Sequence, residues 1–184
     1  MHTRPDVARI TGGKELGDIV YSEQVIQQRV RELGAEVGEY YQGGELLLIG
    51  LLKGSIVFMS DLVRWIPRPH VWDFLIAASY GSATKSSGHV RLLYDPATDV
   101  AGKHVLLVED IVDSGATLDK VVRIFETREP ASLEICTLLH KRLGRTVLEP
   151  RFVGFDAPAK FLVGYGLDFD EEFRHLPFIA SLKE

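Results

Sequence analysis

The stretch VLLVEDIVDSGATLDKVV, residues 105–122, decides the reading of this chain. An apolar run enters three acids within five residues, Glu109, Asp110 and Asp113, then passes at once into Ser114, Gly115, Ala116 and Thr117. A surface turn requires neither so much charge nor so ordered an approach. GKHVLLVED has the character of a buried strand, and ATLDKVVRIFETR returns to helical spacing. In an open parallel sheet, ligands collect beyond the carboxyl ends of the strands, which is where this reading puts Glu109 and Asp110. The helix beginning near Ala116 presents unpaired backbone N–H groups. Gly115 admits close backbone approach and Ser114 and Thr117 supply hydroxyl donors, so the turn is suited to a phosphate. It is not a Walker loop, because GxxxxGK[ST] is absent. A phosphate cradle beside carboxylates suggests a phosphorylated sugar, with acids accepting from its hydroxyls or holding Mg²⁺. Asp113 also fits a plain helix N-cap, but a cap does not explain the pair before it.

Working outward, apolar runs alternate with helical patterns. Residues 23–41 set Ile26, Val30, Leu33, Val37 and Tyr40 at spacings of four and three, which predicts an amphipathic helix. ELLLIGLL (45–52) is short and almost wholly apolar, as a strand buried on both faces is. SIVFMSDLVRWI (55–66) predicts a helix facing inward through Met59, Leu62, Val63 and Ile66 and stopped by Pro67. VWDFLIAASY and SLEICTLLH read as further strands. The expected fold class is therefore α/β, a mainly parallel central sheet flanked by helices. GSATKSSGH (81–89) interrupts the rhythm and fits either a solvated hairpin loop or an active-site lid.

Composition narrows the function. At 184 residues and 46% apolar, the chain suffices for one sizeable core, and a single domain over 1–184 is expected. The net charge of −5 gives no electrostatic reason to expect a nucleic-acid partner. Cys136 is the only cysteine, so no intramolecular disulfide forms, and its place in SLEICTLL suits a small buried hydrophobe better than a catalytic thiol. MHTRPDVARITGG lacks the apolar core of a signal peptide, and no apolar run approaches the roughly 20 residues of a membrane span. A soluble cytoplasmic protein without a membrane partner is expected. Six histidines are scattered without ligand spacing, and none is assigned to a metal.

VEDIVDSGATL closely resembles the phosphoribosyl diphosphate signature of the type I phosphoribosyltransferases. LLKGS (51–55) looks like that family's diphosphate-binding loop, and ASY (78–80) like the start of its catalytic lid. HKRLGR (140–145) and KFLVGYGLDFDEEFRHLPFI (160–179) are similar to segments of the hypoxanthine-guanine branch. The matches run in family order over about residues 45–180, and they fit the compact bacterial-type members.

The resemblance implies the fold of that family, with a small hood made from the N-terminus and about residues 141–184. It implies a purine salvage reaction in the cytoplasm: a 6-oxopurine and phosphoribosyl diphosphate give the nucleoside monophosphate and diphosphate, with Mg²⁺ as cofactor. By the same resemblance Asp113 is the general base, and it joins Lys53, Gly54, Ser79, Tyr80, Glu109, Asp110, Ser114, Gly115, Ala116, Thr117, Arg145 and Arg174 in binding phosphoribosyl diphosphate. Glu109 and Asp110 meet the ribose hydroxyls and help position the metal-bound substrate. Arg174 contacts diphosphate oxygens, and Arg145 supports the diphosphate loop. Asp168 holds a second Mg²⁺ and is grouped with the purine positions Lys141, Phe161 and Leu162. Lys141 binds the 6-oxo group, Phe161 stacks on the base, and the Leu162 backbone meets its edge. A non-proline cis peptide often precedes the lysine matched by Lys53. Without the resemblance, Lys53 is a solvated residue at a strand end and Phe161 serves equally well as a core strand residue. A homodimer or homotetramer is expected.

Two other classes compete. A regulator built on the same domain calls for a basic face or an added DNA-binding domain, and this acidic chain offers neither. A phosphoribosyltransferase for another base is disfavoured by KFLVGYGLD and by the lysine of HKR.

Overall fold

The computed structural model describes residues 11, 15–79, 90–142 and 147–183. Tyr80, Arg145 and the segment 81–89 therefore lie outside the described residues. A six-stranded sheet runs through the centre in the order β4-β3-β2-β5-β6-β7, where β2 is Leu46–Leu51, β3 Val71–Ser79, β4 Val90–Tyr94, β5 His104–Val112, β6 Ser132–His140 and β7 Phe152–Asp156. Every pairing is parallel except β3 with β4, which turn back on one another as a hairpin does.

β2 shows why the sheet needs two covers. Leu46 and Leu48 face a core formed with α1 (Glu23–Tyr40) and α2 (Ile56–Leu62), while Leu47, Ile49 and Leu51 face α3 (Ala116–Glu126). All six residues of β2 are buried, as its unbroken apolar run predicts. Each fully buried Leu or Ile is worth about 1.5–3 kcal/mol relative to exposure, so this strand alone fixes the sheet's place in the interior. Cys136 lies in the first of the two cores, and burial pushes its thiol well up from the ordinary range, which leaves it inert.

α1 starts at Ser22, whose hydroxyl accepts from the Val25 N–H, and buries Ile26, Val30, Leu33 and Val37. Tyr40 does not complete that stripe. It is exposed and donates to Glu134, while Tyr41, the residue after the helix, takes the buried place. The helix ends at Tyr40, so the next side chain follows an extended rather than a helical direction. α2 buries Phe58, Met59 and Leu62, and a 3₁₀ turn, Val63–Trp65, carries the chain to Ile66 and Pro67.

A second sheet of three strands sits apart from the first, in the order β1-β9-β8: β1 is Leu16–Tyr21, β8 Leu162–Val163 and β9 Ile179–Leu182, all antiparallel. It joins the strand at 16–21 to two strands within 162–182, whereas β7, from the same late part of the chain, pairs with β6 and extends the main sheet. Phe152 is buried against the main core, and the β6 edge would otherwise be left without a partner. The small sheet is tied down by a partly buried link. The Tyr165 hydroxyl donates to Asp61 of α2 at 2.6 Å, and the Gln27 amide of α1 donates to the same carboxylate oxygen at 2.7 Å.

Candidate active site

The strand order reverses between β2 and β5, because β3 lies on one side of β2 and β5 on the other. A crevice opens beyond the carboxyl ends at such a point. The chain after β2 supplies Lys53 and Gly54 to it, and β5 supplies the acids.

β5 does not stop at the acids. It pairs with β6 as far as Val112↔His140, so Glu109 and Asp110 stand inside the strand rather than at its end. Two successive strand residues point to opposite faces. Glu109 lines a concavity of about 140 Å³ together with Asp113 and the turn Ser114–Thr117. Asp110 turns the other way, toward Gly54. A Cβ built on Gly54 would lie 1.8 Å from Asp110 Oδ2, so only glycine lets the β2 loop pass this carboxylate. The Leu52–Lys53 peptide just before it is cis.

Both acids are pressed toward the neutral form. Burial pushes Glu109 well above the usual carboxylate range and the neighbouring Asp110 charge adds to it, while one Glu109 oxygen is buried with no partner. Burial also raises Asp110 to about 6, against backbone N–H donors and the Arg174 charge that favour ionisation. A cation or a hydroxyl donor nearby favours the charged form of such a carboxyl group.

The turn after β5 has the form a phosphate needs. Gly115 is in the left-handed region at φ +74° and is itself the N-cap of α3. Asp113 is therefore not the cap. It lies two residues earlier, half exposed, and its carboxylate accepts from Lys141 Nζ at 2.8 Å. The Lys141 side chain is only 12% exposed, so this ammonium is fixed by the packing around it rather than waving in solvent. The expected general base and the expected 6-oxo ligand are thus brought together as a pair.

The loop between β8 and β9 faces the β2 loop. Arg174 is ion-paired with Asp168 at 2.9 Å, donates to the Gly166 carbonyl at 2.9 Å and keeps a buried Nε without partner. Asp168 also accepts from the Glu171 N–H at 2.9 Å. Glu171 in turn accepts from Lys53 Nζ at 2.9 Å, which joins the two loops across the crevice. Phe161 is 54% exposed and meets Phe169 edge to face at 5.6 Å, so it is a surface aromatic rather than a core strand residue. Leu162 is buried in β8 and leaves only its backbone to serve a ligand.

Of the candidate residues, Lys53, Gly54, Asp110, Asp168 and Arg174 form one contact network, and Glu109, Asp113, Ser114–Thr117 and Lys141 form another on the other side of β5. Ser79 ends β3. Reasoning from the sequence missed Glu171, Asp61 and Tyr165. Glu171 stood inside a charged run, DFDEEFR, in which nothing distinguishes one acid from the next. Among the described residues no three acid, histidine or cysteine side chains are clustered to hold a metal by themselves. Asp110, beside Asp168, can still offer a carboxylate, and Mg²⁺ is commonly held by one or two carboxylates with substrate oxygens and water completing the shell.

A glycine turn with two hydroxyls after β5, buried acids in the strand before it, and Lys53 and Arg174 on the loops beside Asp110 make an arrangement suited to a phosphorylated sugar. The profile of the phosphoribosyl transferase domain matches residues 17–170, and the chain belongs to that family. Its relatives are narrower in kind. The hypoxanthine-guanine phosphoribosyltransferase of Mycobacterium avium is 46% identical over 91% of this chain and 86% of its own. The hypoxanthine phosphoribosyltransferase of Salmonella typhimurium is 46% identical over 92% of this chain and 97% of its own. The crystal structure of a hypoxanthine phosphoribosyltransferase from Staphylococcus aureus superposes with a TM-score of 0.90 at 38% identity, covering 98% of this chain and 97% of that one.

Proposed function

We propose that this chain is a purine salvage transferase that moves the 5-phosphoribosyl group from phosphoribosyl diphosphate to N9 of a 6-oxopurine, hypoxanthine or guanine, releasing diphosphate. The observation that carries this reading is the Asp113–Lys141 pair beside the Ser114–Thr117 turn. A 6-oxopurine carries a donor, N7–H, and an acceptor, the 6-oxo oxygen, on one edge. That edge can enter between the two side chains, giving N7–H to Asp113 and taking a hydrogen bond from Lys141. As the N9–C1′ bond forms and the bond from C1′ to the diphosphate oxygen breaks, the N7 proton passes to Asp113.

The 5-phosphate goes to the N–H groups and hydroxyls of the turn. Glu109 and Asp110 accept from the ribose hydroxyls, which supplies a donor to the buried Glu109 oxygen that has no partner. Lys53 and Arg174 meet the leaving diphosphate, where charge accumulates as the bond to C1′ breaks. Mg²⁺ fits here with Asp110 and Asp168 as its protein ligands, and when bound it neutralises negative charge on the diphosphate. Exposed Trp72 on β3 with Leu93 and Tyr94 on β4 supports a homodimer or homotetramer, which light scattering tests. A buried lone thiol and the absence, among the described residues, of a helix long and apolar enough to cross a membrane support a cytoplasmic location, which cell fractionation tests.

The deciding experiment measures diphosphate release from phosphoribosyl diphosphate and Mg²⁺ with hypoxanthine, guanine, xanthine and adenine in turn. Release with hypoxanthine or guanine is expected. Release with adenine alone, or with no base, overturns the reading.

A further inference from the structure

One carboxylate in the crevice belongs to neither substrate nor metal in the account above. Glu171 Oε2 accepts from Lys53 Nζ at 2.9 Å and lies 3.4 Å from an Arg174 terminal nitrogen, so a single oxygen bridges a cation of the β2 loop and a cation of the β8–β9 loop. These are the two cations given to the diphosphate. The side chain of Glu171 is 65% exposed and that of Arg174 is 24% exposed, so the acid can swing into water while the arginine stays in place. The loop is held independently of that carboxylate, by the Glu171 N–H on Asp168 and by the Arg174 bond to the Gly166 carbonyl. Departure of the carboxylate thus leaves the loop's own frame standing.

Resting on the phosphoribosyl-transfer reading, we propose that Glu171 is a built-in placeholder for the diphosphate: its carboxylate bridges Lys53 and Arg174 in the free enzyme, leaves when phosphoribosyl diphosphate binds, and returns as the product diphosphate departs. The placeholder neutralises Lys53 and adds a second, longer contact to Arg174, which keeps its own pairing with Asp168 at 2.9 Å when the carboxylate leaves. It also weakens every anion that must displace it, which sets substrate affinity and speeds product release. Exposed ion pairs are worth little each, and displacing two of them costs about three- to tenfold in affinity.

The test is the dissociation constant of Mg²⁺-diphosphate and of phosphoribosyl diphosphate, by calorimetry at low and high salt, for the intact protein, for Glu171→Gln and for Glu45→Gln. Glu45 pairs with Lys103 at the opposite, amino end of the sheet, and its substitution makes the same change in net charge. The expected result is about three- to tenfold tighter binding in Glu171→Gln alone, shrinking as salt rises. Unchanged or weaker binding in Glu171→Gln, or equal tightening in Glu45→Gln, overturns the placeholder. Diphosphate release by the intact protein is scored separately. An active intact protein with no tightening in Glu171→Gln rejects the placeholder and leaves phosphoribosyl transfer standing. Tightening in a protein that transfers nothing to any base rejects the transfer reading.

Discussion

Replacing Asp110 by Asn should make the protein more stable and less active, by an amount that depends on pH. Burial lifts the Asp110 carboxyl from 3.8 to about 6. A folded value above the unfolded one means the native state binds the proton more tightly. The stability linked to that proton is complete below about pH 3.8 and is lost as pH rises through about 6. At about 1.4 kcal/mol per pH unit between the two values, holding the carboxylate ionised costs up to about 3 kcal/mol at neutral pH and above. The amide is neutral at every pH, and its oxygen can still accept from the Ile111 N–H, which the carboxylate does at 2.9 Å. Losing the Asp110 charge also relieves its repulsion of Glu109. Urea denaturation in metal-free buffer should show Asp110→Asn more stable by about 1–3 kcal/mol at about pH 8, with little difference at about pH 4. Turnover should fall in the same variant, because the ribose loses an acceptor. No gain at high pH, or the same gain at both, would refute the argument.

Asp113→Asn keeps an acceptor for Lys141 but cannot take the purine proton, so stopped-flow turnover should drop by about 10² to 10⁴ with little change in the dissociation constant for phosphoribosyl diphosphate. Near-normal turnover would remove Asp113 from catalysis. Lys141→Gln should narrow the ratio of kcat/KM for hypoxanthine to that for adenine, mainly by loss on hypoxanthine. A buried donor facing the adenine amino group leaves both without partners, and such a mismatch can discriminate by about 10⁴. An unchanged ratio would make Lys141 a bystander. Gly54→Ala puts a methyl 1.8 Å from Asp110 Oδ2, so thermal melting should reveal a loss of about 1–3 kcal/mol together with weaker binding of phosphoribosyl diphosphate. A variant that matches the native protein in both would show that the loop has room the geometry denies it.

What the sequence discloses here follows from which features act locally. The β2 run and the stripe Ile26, Val30, Leu33, Val37 are short-range patterns set by burial, and the structure keeps them. The signature turn is also local, since a glycine between an acidic strand and a helix has few other uses. Whether Glu109 ends its strand is not a local matter. It depends on how far β6 runs alongside, and β6 carries the pairing on to Val112. Tyr40 and Tyr41 exchange places because the helix ends between them, a boundary that periodicity does not mark. The β8–β9 loop is set by contacts that no local pattern marks. Tyr165, Asp170, Glu171 and Phe173 all have positive φ, a conformation that such residues do not announce and that tertiary contacts impose. The meeting of Lys53 with Glu171 spans more than a hundred positions and belongs to the fold rather than to any motif.

The small sheet places the last of the described strands in its middle, with β9 between β1 and β8. During synthesis β1 emerges first and β8 late, yet neither has a neighbour until β9 has left the ribosome. The large sheet is under no such constraint, because β2 through β7 are complete before β8 is made. A nascent chain can therefore hold a finished turn after β5 while the loop that carries Arg174 still lacks the β8–β9 pairing that brackets it. Synthesis of β9 thus closes the small sheet in a single late step, and a chain cut off before β9 keeps β1 and β8 with unpaired edges.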